Sequence, residues 1–425
     1  MTHHFKMKKY LVIILSILIS NFAFGAKLLI PMDAGSQNNH IKAYGIAYWI
    51  LQNDIEVEWL LNYRGGSFLV DHYKTIEEEL IIRGVSFEKI ADVQAQQIKN
   101  TISDPEVNQE VVALQKAPKI AVYSPDGKQP WDDAVTLVLT YAEIPYETVY
   151  DSAVVAGTLP EYDWLHLHHE DFTGQYGKFY RSYRNAPWYK KQQSDAETMA
   201  STLGFSKVSE MKRSVALSIR NYTAGGGFLF TMCSGTDSYD IALAAQHTDI
   251  CDYMFDGDAP NPNAQNELNF DETFAFKDFR LKMNPMEYEF STIDGTKAHI
   301  VPEQNDKFTL FEFSAKWDVV PTMLCQNHTT IVDGFMGQTT DFYKKFIKSN
   351  VLVMGENKSI GTAKYIHGEF GKGQWTFYGG HDPEDWRHYV GDPPTDLDLF
   401  PNSAGYRLIL NNILFPAAKK KPQKT

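Results

Sequence analysis

Between Lys119 and Met232 short apolar runs alternate with stretches long enough for helices, and this alternation constrains the fold more than any other feature of the chain. Ile120–Tyr123 reads as a buried strand and Ser124-Pro125-Asp126-Gly127 as a turn. Trp131–Ala142 has helical spacing, while Tyr146–Tyr150 and Asp163–His168 are further strands. Val208–Thr223 is a long helix, closed by Gly225-Gly226-Gly227 ahead of strand Phe228–Met232. Parallel neighbours are reached only through crossover connections, so strands separated by helices of this length predict a doubly wound, mostly parallel sheet in an α/β fold.

The flanks are read with the same rules. Residues 26–117 form an N-terminal βαβ extension: strand Lys27–Met32, helix His40–Gln52, strand Glu56–Leu61. Within it Ile76–Arg83 is an amphipathic helix, and the polar stretch from Asp92 to Gln115 is a surface helix leading to a linker near Ala117-Pro118. The main unit covers 118–415 and carries an irregular insertion at 256–350, with antiparallel-looking pieces. It closes with strands Lys364–Phe370 and Gln374–Tyr378, joined by the turn Gly371-Lys372-Gly373, and with helix Ala404–Leu414. Residues 416–425 are a basic tail containing Lys419-Lys420-Lys421. Asp256-Gly257-Asp258 lacks the acidic spacing of a calcium loop and is read as a turn.

Met1–Gly25 has the pattern of a secretory signal. Lys6, Lys8 and Lys9 precede the apolar run Tyr10–Ile19, and Ala23-Phe24-Gly25 supplies small residues ahead of Ala26. The run is about half the ~20 residues of a spanning helix, so the expectation is cleavage and a periplasmic or secreted chain without a membrane span. Net charge is −13, and removing the three signal lysines takes it to −16. Such a surface repels phosphate backbones, which disfavours a nucleic-acid partner. Three cysteines in 425 residues cannot build a disulfide framework. Aromatic residues make up 13% of the chain, compatible with a wide core or with a cleft for a small-molecule or carbohydrate substrate.

Three segments carry potential chemistry. Cys233 directly follows strand Phe228–Met232 and precedes a helix, so it sits on a strand-to-helix elbow; the N–H groups of Ser234 and Gly235 lie at the start of that helix, where an oxyanion would be held. The competing reading is a small buried cysteine under a tight turn. His381, in Gly379-Gly380-His381-Asp382-Pro383-Glu384, ends another strand and is placed to act as base, with Glu384 to orient it; alternatively it pins its loop. In His166-Leu167-His168-His169-Glu170-Asp171, strand alternation puts His166, His168 and Glu170 on one face. The order lacks the HxHxDH pattern and further ligands, so these side chains are read as pocket lining, and no metal or other cofactor is assigned.

Two resemblances follow from these motifs. Gly371-Lys372-Gly373, Phe377-Tyr378, Gly380-His381-Asp382-Pro383-Glu384, Trp386 and the closing Gly405-Tyr406-Arg407-Leu408 and Asn412-Ile413-Leu414 resemble the end of trehalose-utilisation (ThuA-like) domains. Those belong to the class I glutamine amidotransferase-like superfamily, and Thr231-Met232-Cys233-Ser234-Gly235 is similar to its nucleophile elbow, with Thr231 in place of the first glycine. The resemblance implies a flavodoxin-like sandwich and a Cys233, His381, Glu384 site, although glutamate follows the histidine by three residues where the superfamily has two. It leads to an exported amidotransferase-like hydrolase, with a non-catalytic carbohydrate- or envelope-binding protein as the alternative. The whole chain also resembles exported bacterial proteins labelled asparagine synthetase B. Ser234-Gly235-Thr236-Asp237-Ser238 is similar to the pyrophosphate loop of ATP pyrophosphatases, but one residue short, which disfavours ATP-dependent amidation.

Overall fold

The computed structural model describes residues 26–127, 129–296 and 301–419; the expected signal at 1–25 and the end of the tail, 420–425, lie outside them. Two sheets organise the chain. The first is built from β1 (Ala26–Ile30), β2 (Val57–Leu61), β3 (Ser67–Asp71), β4 (Glu88–Ala91) and β5 (Glu110–Leu114), in the order β4-β1-β3-β2-β5. Every pairing in it is antiparallel. The expected βαβ unit is therefore split: β1 and β2 run the same way, joined through helix His40–Gln52, but β3 lies between them. The polar stretch after Asp92 is a helix only to Ser103, and β5 follows it, burying Val112 and Leu114.

The larger sheet comprises β6 (Ile120–Tyr123), β7 (Glu147–Val149), β8 (Trp164–Leu167), β9 (Phe228–Met232), β10 (Lys307–Leu310), β11 (Ile331–Asp333), β12 (Phe342–Tyr343), β13 (Leu352–Asn357), β14 (Thr362–Phe370) and β15 (Gly373–Tyr378). Its order is β11-β10-β13-β14-β15-β9-β8-β6-β7, with β12 beside β14. The run β15-β9-β8-β6-β7 is parallel, as the alternation predicts. The insertion and the hairpin β14–β15 extend the sheet with antiparallel strands, so the whole is mixed rather than mostly parallel.

Helices cover both faces. Helix Val208–Gly225 is amphipathic and buries Val215, Ala216, Ile219 and Tyr222 at helical spacing in one cluster with Leu165, Leu167 and Leu229, while Met211 packs with Tyr176, Phe179 and Tyr189. It ends at Gly226, whose φ of 124° suits a residue without Cβ. On the opposite face helices Ala134–Tyr141 and Ala404–Leu414 pack over Trp164, Phe230 and Tyr378, with helix His40–Gln52 of the first sheet behind them. Helix Ala404–Leu414 is buried on every side because it lies between the two sheets. The chain then returns to the first sheet, where Ala418 bridges Leu114 and the Lys419 N–H reaches the Ala113 carbonyl. Among the described residues no helix is long and apolar enough to cross a membrane.

Candidate functional site

Strands β8, β9 and β15 are neighbours, and their register aligns Leu167 with Thr231 and Tyr378 with Met232. Their C-terminal ends therefore deliver His168-His169, Cys233 and Gly379-Gly380-His381 to one edge of the sheet, where α/β folds place their sites. Cys233 adopts φ 49°, ψ −138°, a left-handed conformation that costs a non-glycine residue about 1–3 kcal/mol. The surroundings hold it there. Its N–H donates to the Gly380 carbonyl at 3.2 Å, and the next turn is locked by Gly235 N–H donating to the His168 carbonyl at 2.6 Å. A Cβ on Gly235 would lie 2.4 Å from that carbonyl oxygen, so only glycine allows the approach.

The Cys233 thiol is buried and turned toward backbone amides. Sγ accepts from Gln338 N at 3.2 Å, and the amides of Thr339 and Ser234 also bond to it. Burial pushes the thiol pKa up and these amides pull it down, leaving it above its ordinary value.

At the same sheet edge lies a group of imidazoles with very few hydrogen bonds. The ring centroids of His168 and His381 are 4.6 Å apart, those of His168 and His169 4.9 Å, and those of His169 and His381 6.0 Å. Both nitrogens of His381, Nε2 of His168 and Nδ1 of His169 have no hydrogen-bond partner. Burial, reinforced by neighbouring imidazoles, pushes His169 and His381 well below the ordinary histidine pKa, so both rings are neutral and offer lone pairs. Potential ligand atoms of His168, His169 and His381 all lie within 4.8 Å of one another, and the same holds for Asp132, His381 and His388 and for Asp133, His166 and His168.

Three aspartates, Asp133, Asp132 and Asp385, organise these rings. Asp133 caps helix Ala134–Tyr141, with Oδ1 accepting from Val135 N and Thr136 N at 2.8 and 3.0 Å. The same carboxylate meets His166 Nε2 and His168 Nδ1, each at 3.3 Å. Burial alone would raise its pKa, but the two imidazoles hold it well below the usual carboxylate range. His388 stacks on His381 at 4.5 Å with its nitrogens 2.9 Å from Asp132 and 2.8 Å from Asp385. Although burial opposes its charge, these two carboxylates raise His388 to about 9, so both of its nitrogens are committed.

The residues expected from sequence thus fall into two groups. Cys233, Ser234, Gly235, His166, His168 and His381 converge at the buried C-terminal edge of β8, β9 and β15, but the Gly235 N–H expected to hold an oxyanion is spent on the His168 carbonyl. Glu384 does not reach the His381 ring; its carboxyl is bonded by Ser403, and its N–H donates to Asp382 Oδ1 at 2.9 Å. Glu170 also leaves the face shared by His166 and His168, because β8 stops at Leu167 and alternation stops with it. Its carboxyl joins the buried group of Lys212, Asp151 and Tyr150 on the other side of the sheet, where burial raises it to about 7. Gly235 N–H is spent on His168, and Ser234–Ser238 is buried throughout, so this loop presents no open cradle for pyrophosphate. Asp132, Asp133, His169 and His388 were not assigned from sequence; the adjacent aspartates ahead of a helical run were the one available signal, as an N-cap.

No family model and no curated protein matches the chain. Among solved structures it is similar to a cytoplasmic protein from Salmonella typhimurium, at 10% identity over 71% of this chain and 100% of that one, with a TM-score of 0.36. A second cytoplasmic protein, from Salmonella typhimurium LT2, gives 14%, 71%, 100% and 0.33. A β-galactosidase from Bacillus circulans sp. alkalophilus gives 12% identity over 68% of this chain and 31% of that one, with a TM-score of 0.25. At scores this low the likenesses identify neither a family nor a reaction, and the site stands on its own geometry.

Proposed function

We propose that the buried edge above β8, β9 and β15 is the active site of an exported hydrolase of the amidotransferase-like kind, with Cys233 as nucleophile and His381 as its proton acceptor. The observation that carries this reading is the left-handed elbow at Cys233, an expensive conformation held by hydrogen bonds from both neighbouring strand ends. Strained backbone of this type clusters at active sites, ligand clamps and switch regions, where the surrounding structure over-determines it. His381 is neutral, has two free ring nitrogens and follows the residue whose carbonyl already holds Cys233 N–H. In the reaction, the thiol proton passes to the imidazole and sulfur attacks an acyl carbon. The tetrahedral intermediate expels the leaving group, which takes that proton, and water then cleaves the thioester to regenerate the thiol. Glu384 has no part in this scheme, and the substrate is a small molecule or carbohydrate derivative.

The second reading is a binding protein without catalysis. It is favoured by the lack of a hydrogen bond between the thiol and either His381 nitrogen, since Sγ is held by amides instead. A hydrolysis screen of amide and ester substrates with the chain starting at Ala26, run beside Cys233→Ala, separates them. Turnover lost in Cys233→Ala supports the enzyme. No turnover together with a thiol inert to iodoacetamide supports the binder.

A further inference from the structure

The three free imidazoles have a use that requires no reactive thiol. We infer that His168, His169 and His381 form a binding site for a first-row divalent transition ion, with zinc the best fit. Three features point there. Their ligand atoms already lie within 4.8 Å of one another, and a tetrahedral ion at about 2.0–2.1 Å from each nitrogen draws them to roughly 3.4 Å, an ångström-scale ring adjustment. His168 and His381 are 1% and 7% exposed, and their free nitrogens are buried without partners, an arrangement that costs stability unless something binds there. The set is all imidazole, which suits zinc, copper, nickel or iron and disfavours magnesium or calcium.

The surroundings supply what such a ligand set needs. Asp133 Oδ1 faces His168 Nδ1 at 3.3 Å, which fixes that ring with Nε2 toward the other two. A carboxylate behind a ligating histidine is the usual orienting partner in zinc sites. Asp133 is itself fixed as the cap of helix Ala134–Tyr141, so the ligand is aimed by secondary structure. His388 is not a ligand, because Asp132 and Asp385 take both its nitrogens. Three protein ligands leave a fourth position for water or a substrate atom.

This inference goes beyond the hydrolase reading and is independent of Cys233. An ion on His381 takes the lone pair that would accept the thiol proton, so the metal-loaded and thiol-reactive forms are alternatives.

The test is binding of zinc and of cobalt, without substrate, to chelator-treated protein starting at Ala26. One equivalent of zinc should compete with a chromophoric chelator, and cobalt should give the intense visible bands of a tetrahedral site. His169→Gln and His168→Gln should each lower affinity at least about 100-fold, and Asp133→Asn, which keeps a helix-capping oxygen, about 10–100-fold. Cys233→Ala should bind as the parent does. Melting curves of each variant establish that it is folded. Absence of stoichiometric binding by the folded parent overturns the site, as does unchanged affinity in folded His169→Gln. Loss of the cobalt spectrum in Cys233→Ala overturns the three-histidine ligand set. Because binding is read without turnover, a protein that binds zinc but hydrolyses nothing refutes only the hydrolase, and the converse result refutes only the metal site.

Discussion

Among the described residues histidines stack on one another at the seam between the sheets and at the C-terminal edge of β8, β9 and β15, and the two clusters differ in how many of their polar groups are paired. At the seam between the sheets, His40 lies against His328 with ring centroids 4.4 Å apart. His40 Nδ1 is 2.8 Å from Asn402 Oδ1, and its Nε2 donates to the Met32 carbonyl at 2.9 Å. Nearby, buried Arg407 donates to Tyr44 Oη and to the carbonyls of Met32 and Gly65, and Asn411 donates to those of Leu324 and Gln326. At the sheet edge, His381 stacks on His388 at 4.5 Å yet has no hydrogen bond at either nitrogen. Most polar groups of the seam are paired, His328 Nδ1 being left without a partner, and this bonding stabilises the docking of one sheet on the other. The sheet edge leaves groups unsatisfied at a cost in stability, as sites for ligands do.

Substitutions at matched positions can break this comparison. The largest effect is expected for Arg407→Leu, which removes the side-chain donor to the Gly65 carbonyl and one of two hydrogen bonds at each of the Met32 carbonyl and the Tyr44 hydroxyl; urea unfolding should show a loss of more than about 3 kcal/mol. A loss under about 1 kcal/mol would mean that the seam is not what holds the sheets together.

Acid should act next, on the seam as well as on His169 and His381, which burial also holds below the ordinary histidine pKa. Burial, with the charge of Arg407 close by, lowers His40 to about 4; burial, with His40 and Arg407 close by, lowers His328 to about 3. A histidine whose folded pKa lies below its unfolded value of about 6.5 contributes stability that is fully present above that value. The contribution is lost as pH falls through about 4 for His40 and then about 3 for His328. The melting temperature should therefore drop from pH 6.5 downward, and the slope should flatten in His328→Leu, which carries no proton to gain. An unchanged slope in that variant would place the acid sensitivity elsewhere.

At the sheet edge the sign turns. His381→Leu replaces a ring with two unpaired nitrogens by an apolar side chain, so stability should stay within about 1 kcal/mol of the parent or rise, although the site is destroyed. The smallest change is expected for Cys233→Gly. Relief of the left-handed strain, about 1–3 kcal/mol, offsets the lost side chain and the greater freedom of glycine in the unfolded chain, so thermal unfolding should be nearly unshifted. A large loss would show that Cys233 is held for packing.

How much was legible depends on the range of the deciding interaction. Helices His40–Gln52 and Ala404–Leu414 and strands Ile120–Tyr123 and Phe228–Met232 have the bounds read from sequence, since each is set by local periodicity and by capping or turn residues close to its ends, Asn39 and Asn53 for the first helix. Ser67–Asp71 and Glu88–Ala91 were not identified as strands, because their partners in β1 come from across a helix and only the pairing makes them regular. Glu384 was expected on the His381 ring from its spacing alone, yet the loop folds so that Asp382 accepts from Thr395 Oγ1 and Tyr406 Oη at 2.8 Å, and Ser403 holds Glu384.

The sequence by itself determined the alternation that makes β6 to β9 parallel, and the elbow that places Cys233 at a strand end. These depend on side-chain period and on residues a few positions apart. Only the tertiary structure decided which imidazoles meet. His168 and His169 end β8 and His381 follows β15, so they converge only because β9 pairs with both strands in register. Asp133 reaches His166 and His168 from the first turn of a helix on one face of the sheet, and His388 reaches His381 from the loop beyond β15. Such contacts join residues far apart in the chain and leave no periodic trace, because their geometry is set by sheet register and helix packing, which local propensity does not encode.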